Sequence, residues 1–287
     1  MDIRTVNQRF EYQESRGIHV IHILDPDHEH GMIGSHWHEE LEMVYTTSGH
    51  NRHFINGECF VTCPGQLLVV NSNFVHSIVP QTGDVPQGSV LRAIVLIISR
   101  EFLEFHFPQY QEVYFTNEEK YAPERIDRIM MQLAACTDAS CHADPAERMH
   151  RDAMILELIS ELYRYRTVPR EIIDSIHSQQ PVEKMKEVVT YIEDHYTERL
   201  TREMVAGEFY LSPNYFSSYF KKYVGMTFTQ YLTAYRLGQG RDLLLRSDMS
   251  VGQIAAECGF SDDRSFITAF KTRFQSTPLQ YRKKRGA

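Results

Sequence analysis

An internal repeat near the C-terminus constrains this chain more than any other feature. At an offset of 50 residues, Phe216, Phe220, Lys221, Thr227, Gln230 and Tyr231 fall on Phe266, Phe270, Lys271, Thr277, Gln280 and Tyr281. Upstream the offset is 49, with Ala206 on Ala255 and Ser212 on Ser261, so one residue is inserted between the copies. A period of this length denotes two copies of one supersecondary unit. Each copy reads as a short helix, a turn and a second helix. In the first, residues 202–209 precede a helix opened by Ser212-Pro213; in the second, residues 251–258 precede Gly259 and a helix capped by Ser261 or Asp262.

The two second helices carry their phenylalanines on one side. Asn214, Ser217, Ser218 and Lys221 lie opposite in the first copy, and Asp263, Arg264, Thr268 and Lys271 in the second. Short polar groups near a helix N-terminus suit base edges, and lysines farther along suit phosphates. A helix predicted over residues 228–246 joins the copies. Its span of roughly 30 Å is close to one turn of DNA, so both units can enter successive major grooves. Charge follows the same division. The chain carries a net charge of −8, yet residues 182–287 hold 16 Lys/Arg against 12 Asp/Glu. A basic C-terminal third on an acidic body is the footprint of a modular nucleic-acid binder.

Residues 182–287 resemble the DNA-binding domain of the AraC family of transcription regulators. The resemblance is densest in SVGQIAAECGFSDDRSFITAFKTRFQSTPLQYR, residues 250–282. It implies two helix-turn-helix units on one chain, fused to an effector-binding or dimerisation domain. The sequence departs from the family pattern at Gln275, where glycine is usual, at Gly238 and Gly240 inside the spacer helix, and at Ser217 and Ser218, where longer side chains are common.

The first 120 residues read as β structure. Runs at 18–23, 41–46, 52–55, 58–63, 67–70, 75–79 and 90–98 are rich in Val, Ile, Phe and Tyr, and Ser48-Gly49, Asn56-Gly57 and Pro64-Gly65 punctuate them. This pattern predicts a sandwich or barrel, with a hairpin at Asn56-Gly57. His36, His38 and Glu42 share parity, so on one extended strand they project to the same side. With Gly49 they match the first motif of the cupin barrel; Gly65 and His76 match the second in part, with Asn71 and Asn73 in place of the usual proline and glycine. In metal-binding cupins the corresponding histidines and glutamate are ligands. Three readings stay open for this cluster: an effector pocket, a metal site, or polar groups satisfied within the barrel. The expected reading is an effector pocket without metal or other cofactor, in which Trp37, Tyr45 and Arg52 accompany His36, His38, Glu42 and His76; an aromatic face and a bidentate donor suit a sugar or a carboxylate.

Helical periodicity at Ile126, Ile129, Met130 and Leu133, and again at Met154, Leu158, Ile159 and Leu162, predicts two helices over 124–135 and 146–166. The expected fold is therefore α+β: a cupin-like barrel over 1–120, a helical dimerisation segment over 121–166 with Leu158 and Leu162 on its seam, a linker over 167–181 between two prolines, and an all-α DNA-binding domain over 182–287. No apolar run approaches membrane-spanning length, the N-terminus has no secretory pattern, and five cysteines lack disulfide spacing. These features predict a reduced, cytoplasmic protein. His28-Glu29-His30 reads as a solvated loop, and Cys136, Cys141 and His142 as an ordinary reduced loop. The function expected is a non-enzymatic transcription activator. Its partners would be double-stranded promoter DNA, RNA polymerase, a small effector such as a sugar, and a second copy of the chain. The alternative is a cupin metalloenzyme with an accessory helical domain.

Overall fold

A computed structural model describes residues 18–24, 33–81, 91–118, 123–135, 144–176 and 179–285. Residues 28–30 and 136–142, expected as loops, lie outside the described residues. Eight strands form two antiparallel four-stranded sheets. One has the order β1 (Ile18–Leu24), β8 (Leu91–Ile98), β3 (Leu41–Thr46), β6 (Leu67–Val70); the other has β2 (Ile33–His36), β7 (His76–Gln81), β4 (His50–Ile55), β5 (Glu58–Thr62). Between the sheets lies an apolar layer built from Val44, Leu68, Val70, Val95 and Ile97 of the first and Ile55 and Ile78 of the second. The opposite face of the first sheet, including Met43, Tyr45, Val69 and Leu96, is covered by helices α2 (Pro123–Ala135) and α3 (Pro145–Tyr165). Burial on both faces explains why β3 and β6 are buried at every position rather than alternating. The hairpin at Asn56-Gly57 forms as expected, with φ of 47° and 85° suited to a tight turn between β4 and β5.

Three expectations are corrected. His36, His38 and Glu42 do not share one strand: β2 ends at His36, the chain bends at 39–40, and Glu42 belongs to β3 in the other sheet. They still converge because both strands face the interior between the sheets. Leu158 and Leu162 are fully buried in the chain's own core against the first sheet, so neither is available to a dimer seam. Within the stretch 167–181, the described residues 167–176 and 179–181 lie in regular elements. Strand β10 (Thr167–Pro169) pairs with β9 (Val113–Phe115), and α4 (Arg170–Ile176) follows. Helix α1 (Arg100–His106), capped by Ser99, was not visible as a helical period in the sequence.

The C-terminal domain is helical: α5 (Gln179–Asp194), α6 (Arg202–Glu208), α7 (Pro213–Val224), α8 (Phe228–Arg246), α9 (Val251–Glu257), α10 (Asp263–Phe274) and α11 (Pro278–Arg285). Phe216 and Phe220 anchor one core, and Phe266 and Phe270 anchor the other, each fully buried. Burial of a side chain this large contributes about 1.5–3 kcal/mol. Helix α8 joins both cores, through Phe228, Tyr231 and Leu232 at one end and Leu237 and Leu244 at the other. A capping box of Thr227 and Gln230 starts it. Repeat symmetry extends to the backbone. Tyr210 and Gly259 hold left-handed turns at φ 55° and 76°, and Gly225 and Gln275 end the second helices at φ 82° and 52°. Gly259 must be glycine for lack of space, because a Cβ there would lie 2.7 Å from the Thr197 carbonyl, and a Cβ on Gly225 would meet the Phe54 ring. Tyr210 directs its ring into solvent.

Candidate functional site

Helices α7 and α10 present their N-terminal turns and polar faces outward. Asn214, Ser218, Lys221, Asp263, Arg264, Thr268 and Lys271 are exposed, whereas Ser217 is half-buried. Ser212 caps α7 and Asp262 caps α10, each accepting from a backbone N–H three residues on. The Asp262 carboxyl is held below its usual range by hydrogen bonds from the Ser265 backbone, the Ser265 hydroxyl and the Ser261 hydroxyl. Ser217 donates to the Pro213 carbonyl at 2.9 Å and Ser218 to the Tyr215 carbonyl at 3.0 Å, so both hydroxyl protons are turned back onto α7. Tyr215, Lys222, Ser265 and Thr272 are also exposed on these helices. Sequence reasoning passed over them, although their positions one residue after Asn214, Lys221, Arg264 and Lys271 extend the same faces by a fraction of a turn. Helix α8, 19 residues long, holds the two helices apart over about 28 Å.

The second site lies inside the two-sheet domain. His36, His38, Glu42 and His76 are all buried, and one potential ligand atom from each lies within 4.8 Å of the others. β-Strand pairing sets His36 directly opposite His76, and their ring centroids are 4.0 Å apart. The Nε2 of His38 is 3.1 Å from Glu42 Oε2, and that of His76 is 3.4 Å from the same oxygen but out of line for a hydrogen bond. Each ring is held from behind: His38 Nδ1 meets the Glu40 carbonyl at 3.2 Å and His76 Nδ1 the Phe74 carbonyl at 2.9 Å. Burial opposes charge on His38, but the hydrogen bond and charge of Glu42, with Glu40 beyond, outweigh it and leave the pKa raised. Burial likewise opposes the Glu42 carboxylate, yet the charge of His76 and the hydrogen bond from His38 hold its pKa well below normal. Asn73, where glycine was expected by resemblance, adopts φ 64°, a conformation asparagine tolerates. Its N–H binds the His38 carbonyl at 2.7 Å and ties the two motifs together.

The three companions expected beside this cluster lie elsewhere. Tyr45 projects from the other face of β3 and donates to Asp127 of α2. Arg52 is exposed on the outer face of β4, and its neighbour His53 occupies the inward position, 3.2 Å from Thr62 Oγ1. An arginine buried without a partner would cost more than a neutral imidazole, so alternation resolves in favour of His53. Trp37 points towards the C-terminal domain, packs on its first core and lies 5.8 Å from the Lys186 ammonium. Sequence reasoning did not anticipate the cleft of about 360 Å³ between the Ser72–Phe74 turn, which leads into His76, and helices α4 and α5; none of the four cluster residues lines it. Phe74, Tyr114, Arg170, Asp174 and Lys186 are among its walls, and Arg170 stacks over Tyr114 at 4.5 Å.

The two halves match two family descriptions: an AraC-like ligand binding domain over residues 17–94 and a helix-turn-helix domain over residues 205–284. The chain is 25% identical over 265 residues to the transcriptional activator RhaS of Salmonella arizonae, covering 92% of each chain. It is 42% identical over 99 residues to the regulatory protein PocR of Salmonella typhimurium, which is 34% of this chain and 33% of PocR. Among solved structures, the C-terminal domain of the response regulator AraT from Geobacillus stearothermophilus is 33% identical, covers 36% of this chain and 85% of its own, and has a TM-score of 0.35. Among the described residues no helix is long and apolar enough to cross a membrane. With a ligand-binding module at one end and paired helix-turn-helix units at the other, this chain belongs to the AraC family of transcription regulators.

Proposed function

We propose that this regulator is an activator. In this reading α7 and α10 enter successive major grooves of promoter DNA, and a small effector acts through the N-terminal sheets. Asn214, Ser217, Ser218 and Lys221 contact one groove, and Asp263, Arg264, Thr268 and Lys271 the next. The observation that carries this reading is the two capped helices joined to one rigid spacer, their polar faces open to solvent. The relatives named as activators support the direction of control. The control site is the end of the sheets that bears His36, His38, Glu42 and His76, with Trp37 at its junction with the DNA-binding domain. The effector, a sugar or another small polar molecule, reaches that end by way of the adjoining cleft. The chain works in the cytoplasm as a homodimer that engages RNA polymerase, and the sheets sense rather than catalyse. Met131, Met149, Tyr163 and Tyr165, exposed on α2 and α3, give the dimer seam its apolar surface.

Full-length protein on its own promoter region tests the assignment of faces. Arg264→Ala should relax preference at one base position by about 1–3 kcal/mol, whereas Lys271→Ala should weaken all sequences alike and reduce the salt slope by about one. Binding titrations against single-base variants of the site at several salt concentrations distinguish the two. The reverse pattern would show that the helix faces are wrongly assigned, and wild-type protein without DNA binding at low salt would remove the reading altogether.

A further inference from the structure

The hydrogen-bond accounting of His76 does not close with the protein's own atoms. Donation from Nδ1 of His38 and Nδ1 of His76 to backbone carbonyls spends the one proton that each neutral imidazole carries. The Nε2 of His38 meets one oxygen of Glu42 in a hydrogen bond at 3.1 Å, while the Nε2 of His76 aims a lone pair at the same oxygen from 3.4 Å. Lone pairs facing a carboxylate repel unless something positive lies between them. Two added protons would bury two imidazolium charges against a single carboxylate, with side chains only 1–5% exposed. The His76 Nε2 is buried with no hydrogen-bond partner. Such an orphaned atom is costly, and an unfilled requirement of this kind points to a ligand.

The size and chemistry of the gap select the class of that ligand. Four donor atoms within 4.8 Å of one another enclose too little space for a sugar ring. An ion about 2.1 Å from each donor would draw them to roughly 3–4 Å apart, a small contraction. Three imidazoles and a carboxylate suit zinc, iron, nickel or manganese, and the carbonyls behind the His38 and His76 rings fix the tautomer that turns Nε2 towards the ion. His36, Glu42 and His76 lie on paired strands of the two sheets, and His38, in the bend between β2 and β3, is tied by its carbonyl to the Asn73 N–H.

We infer that His36, His38, Glu42 and His76 hold one divalent transition-metal ion, which serves as the resident ligand of the control domain. This inference deepens the regulatory reading, and it rests on that reading only for its consequence at DNA. One carboxylate and three neutral imidazoles leave the bound dication with a single surplus charge. That surplus would attract an anionic or hydroxyl-bearing effector entering from the adjoining cleft.

The test uses untagged full-length protein, stripped with chelator and then titrated with Co²⁺ or Zn²⁺ alone. Expected results are one ion per chain by elemental analysis, cobalt ligand-field absorption that saturates at one equivalent, and a thermal midpoint that falls on stripping and returns on reloading. Glu42→Gln and His76→Ala should each weaken cobalt binding by more than the roughly 10–100-fold that loss of a supporting partner costs. Should a variant fail to fold, the wild-type titration decides. Uptake below about a tenth of an equivalent, or uptake undiminished in both folded variants, overturns the inference. Promoter binding on the same samples separates the two ideas. Protein that binds its promoter but takes no ion defeats the metal site alone, and protein that takes the ion but binds no DNA defeats the regulatory reading alone.

Discussion

At the scale of single residues, the inward-facing polar groups carry a stability cost that depends on pH. Burial pushes the His53 pKa down to about 4 from 6.5; the charge of Glu42 opposes the shift and that of His76 adds to it. Between those values the unfolded chain binds a proton that the folded chain refuses, so the His53 contribution is intact above pH 6.5 and is lost as pH falls towards 4. At pH 5 the loss should reach about 2 kcal/mol, at 1.36 kcal/mol per unit. Denaturant unfolding at pH 7 and pH 5 should therefore show a smaller acid loss in His53→Gln than in wild type, and equal losses would show that His53 titrates normally. His53 was not foreseen in the sequence because β4 carries polar side chains on both faces, Asn51 and His53 inward and Arg52 outward, which removes the polar–apolar alternation that normally reveals the inward side. Parity from Glu42 did carry the information that Tyr45 faces away. A tyrosine near histidines was taken as a companion on chemistry, when counting along the strand excluded it. The convergence of His76 with residues some forty positions earlier is a matter of pairing between sheets, and only the motif resemblance hinted at it.

At the scale of elements, the spacer helix α8 accounts for one of its two interior glycines. A Cβ on Gly240 would come within 2.7 Å of the Phe266 ring, so the absence of a side chain lets α8 and α10 approach closely. A Cβ on Gly238 would meet nothing within 4 Å. The same substitution should thus have opposite signs two residues apart. Gly240→Ala should destabilise by about 1–3 kcal/mol through overpacking, and Gly238→Ala should stabilise by roughly 0.5–1 kcal/mol through backbone entropy. Chemical denaturation of both variants provides the measurement, and equal effects would mean that Phe266 moves aside freely. Most of this domain was legible in the sequence. Its repeat, its caps and the span of α8 follow from local periodicity and helix-end chemistry, and α6, α8 and α9 were bounded within a residue or two. The region between the sheets and the repeat was not legible in the same way. Prolines at both ends of 167–181 signalled a linker, but Thr167 pairs with Phe115, and a three-residue strand whose partner is 52 residues away leaves no local period. Helices α2 and α3 were visible as elements. Their partner was not, because an apolar stripe reads alike whether it covers a sheet or a second subunit, and Leu158 and Leu162 cover the sheet.

At the scale of the whole molecule, strand alternation links the proposed control site to the helices proposed to read DNA. The strands that direct histidines inward direct their immediate neighbours towards the DNA-binding domain. Trp37 lies between His36 and His38 and packs on the first helical core. Ser77, next to His76, donates at 2.9 Å to the Val224 carbonyl at the end of α7. Phe54, next to His53, lies against Gly225, the left-handed cap of α7, so closely that a Cβ there would sit 2.3 Å from its ring. A contraction of β2 and β7 around an occupant therefore has a path one residue long to the recognition helix. Such a path regulates only if the two arrangements differ in affinity for DNA, with typical couplings of 1–3 kcal/mol. A double-mutant cycle on full-length protein measures this coupling directly. In the wild-type background His38→Ala should change promoter affinity by roughly 5–150-fold. In a Phe54→Ala/Ser77→Ala background, where the barrel no longer grips the end of α7, the same substitution should change affinity less than about twofold. Asn214, Ser218 and Lys221 lie on the exposed face of α7 rather than at its docked end, so DNA binding itself should survive loosening of the interface. An equal effect of His38→Ala in both backgrounds would mean that the signal reaches DNA by another route, through the dimer or through Trp37 alone.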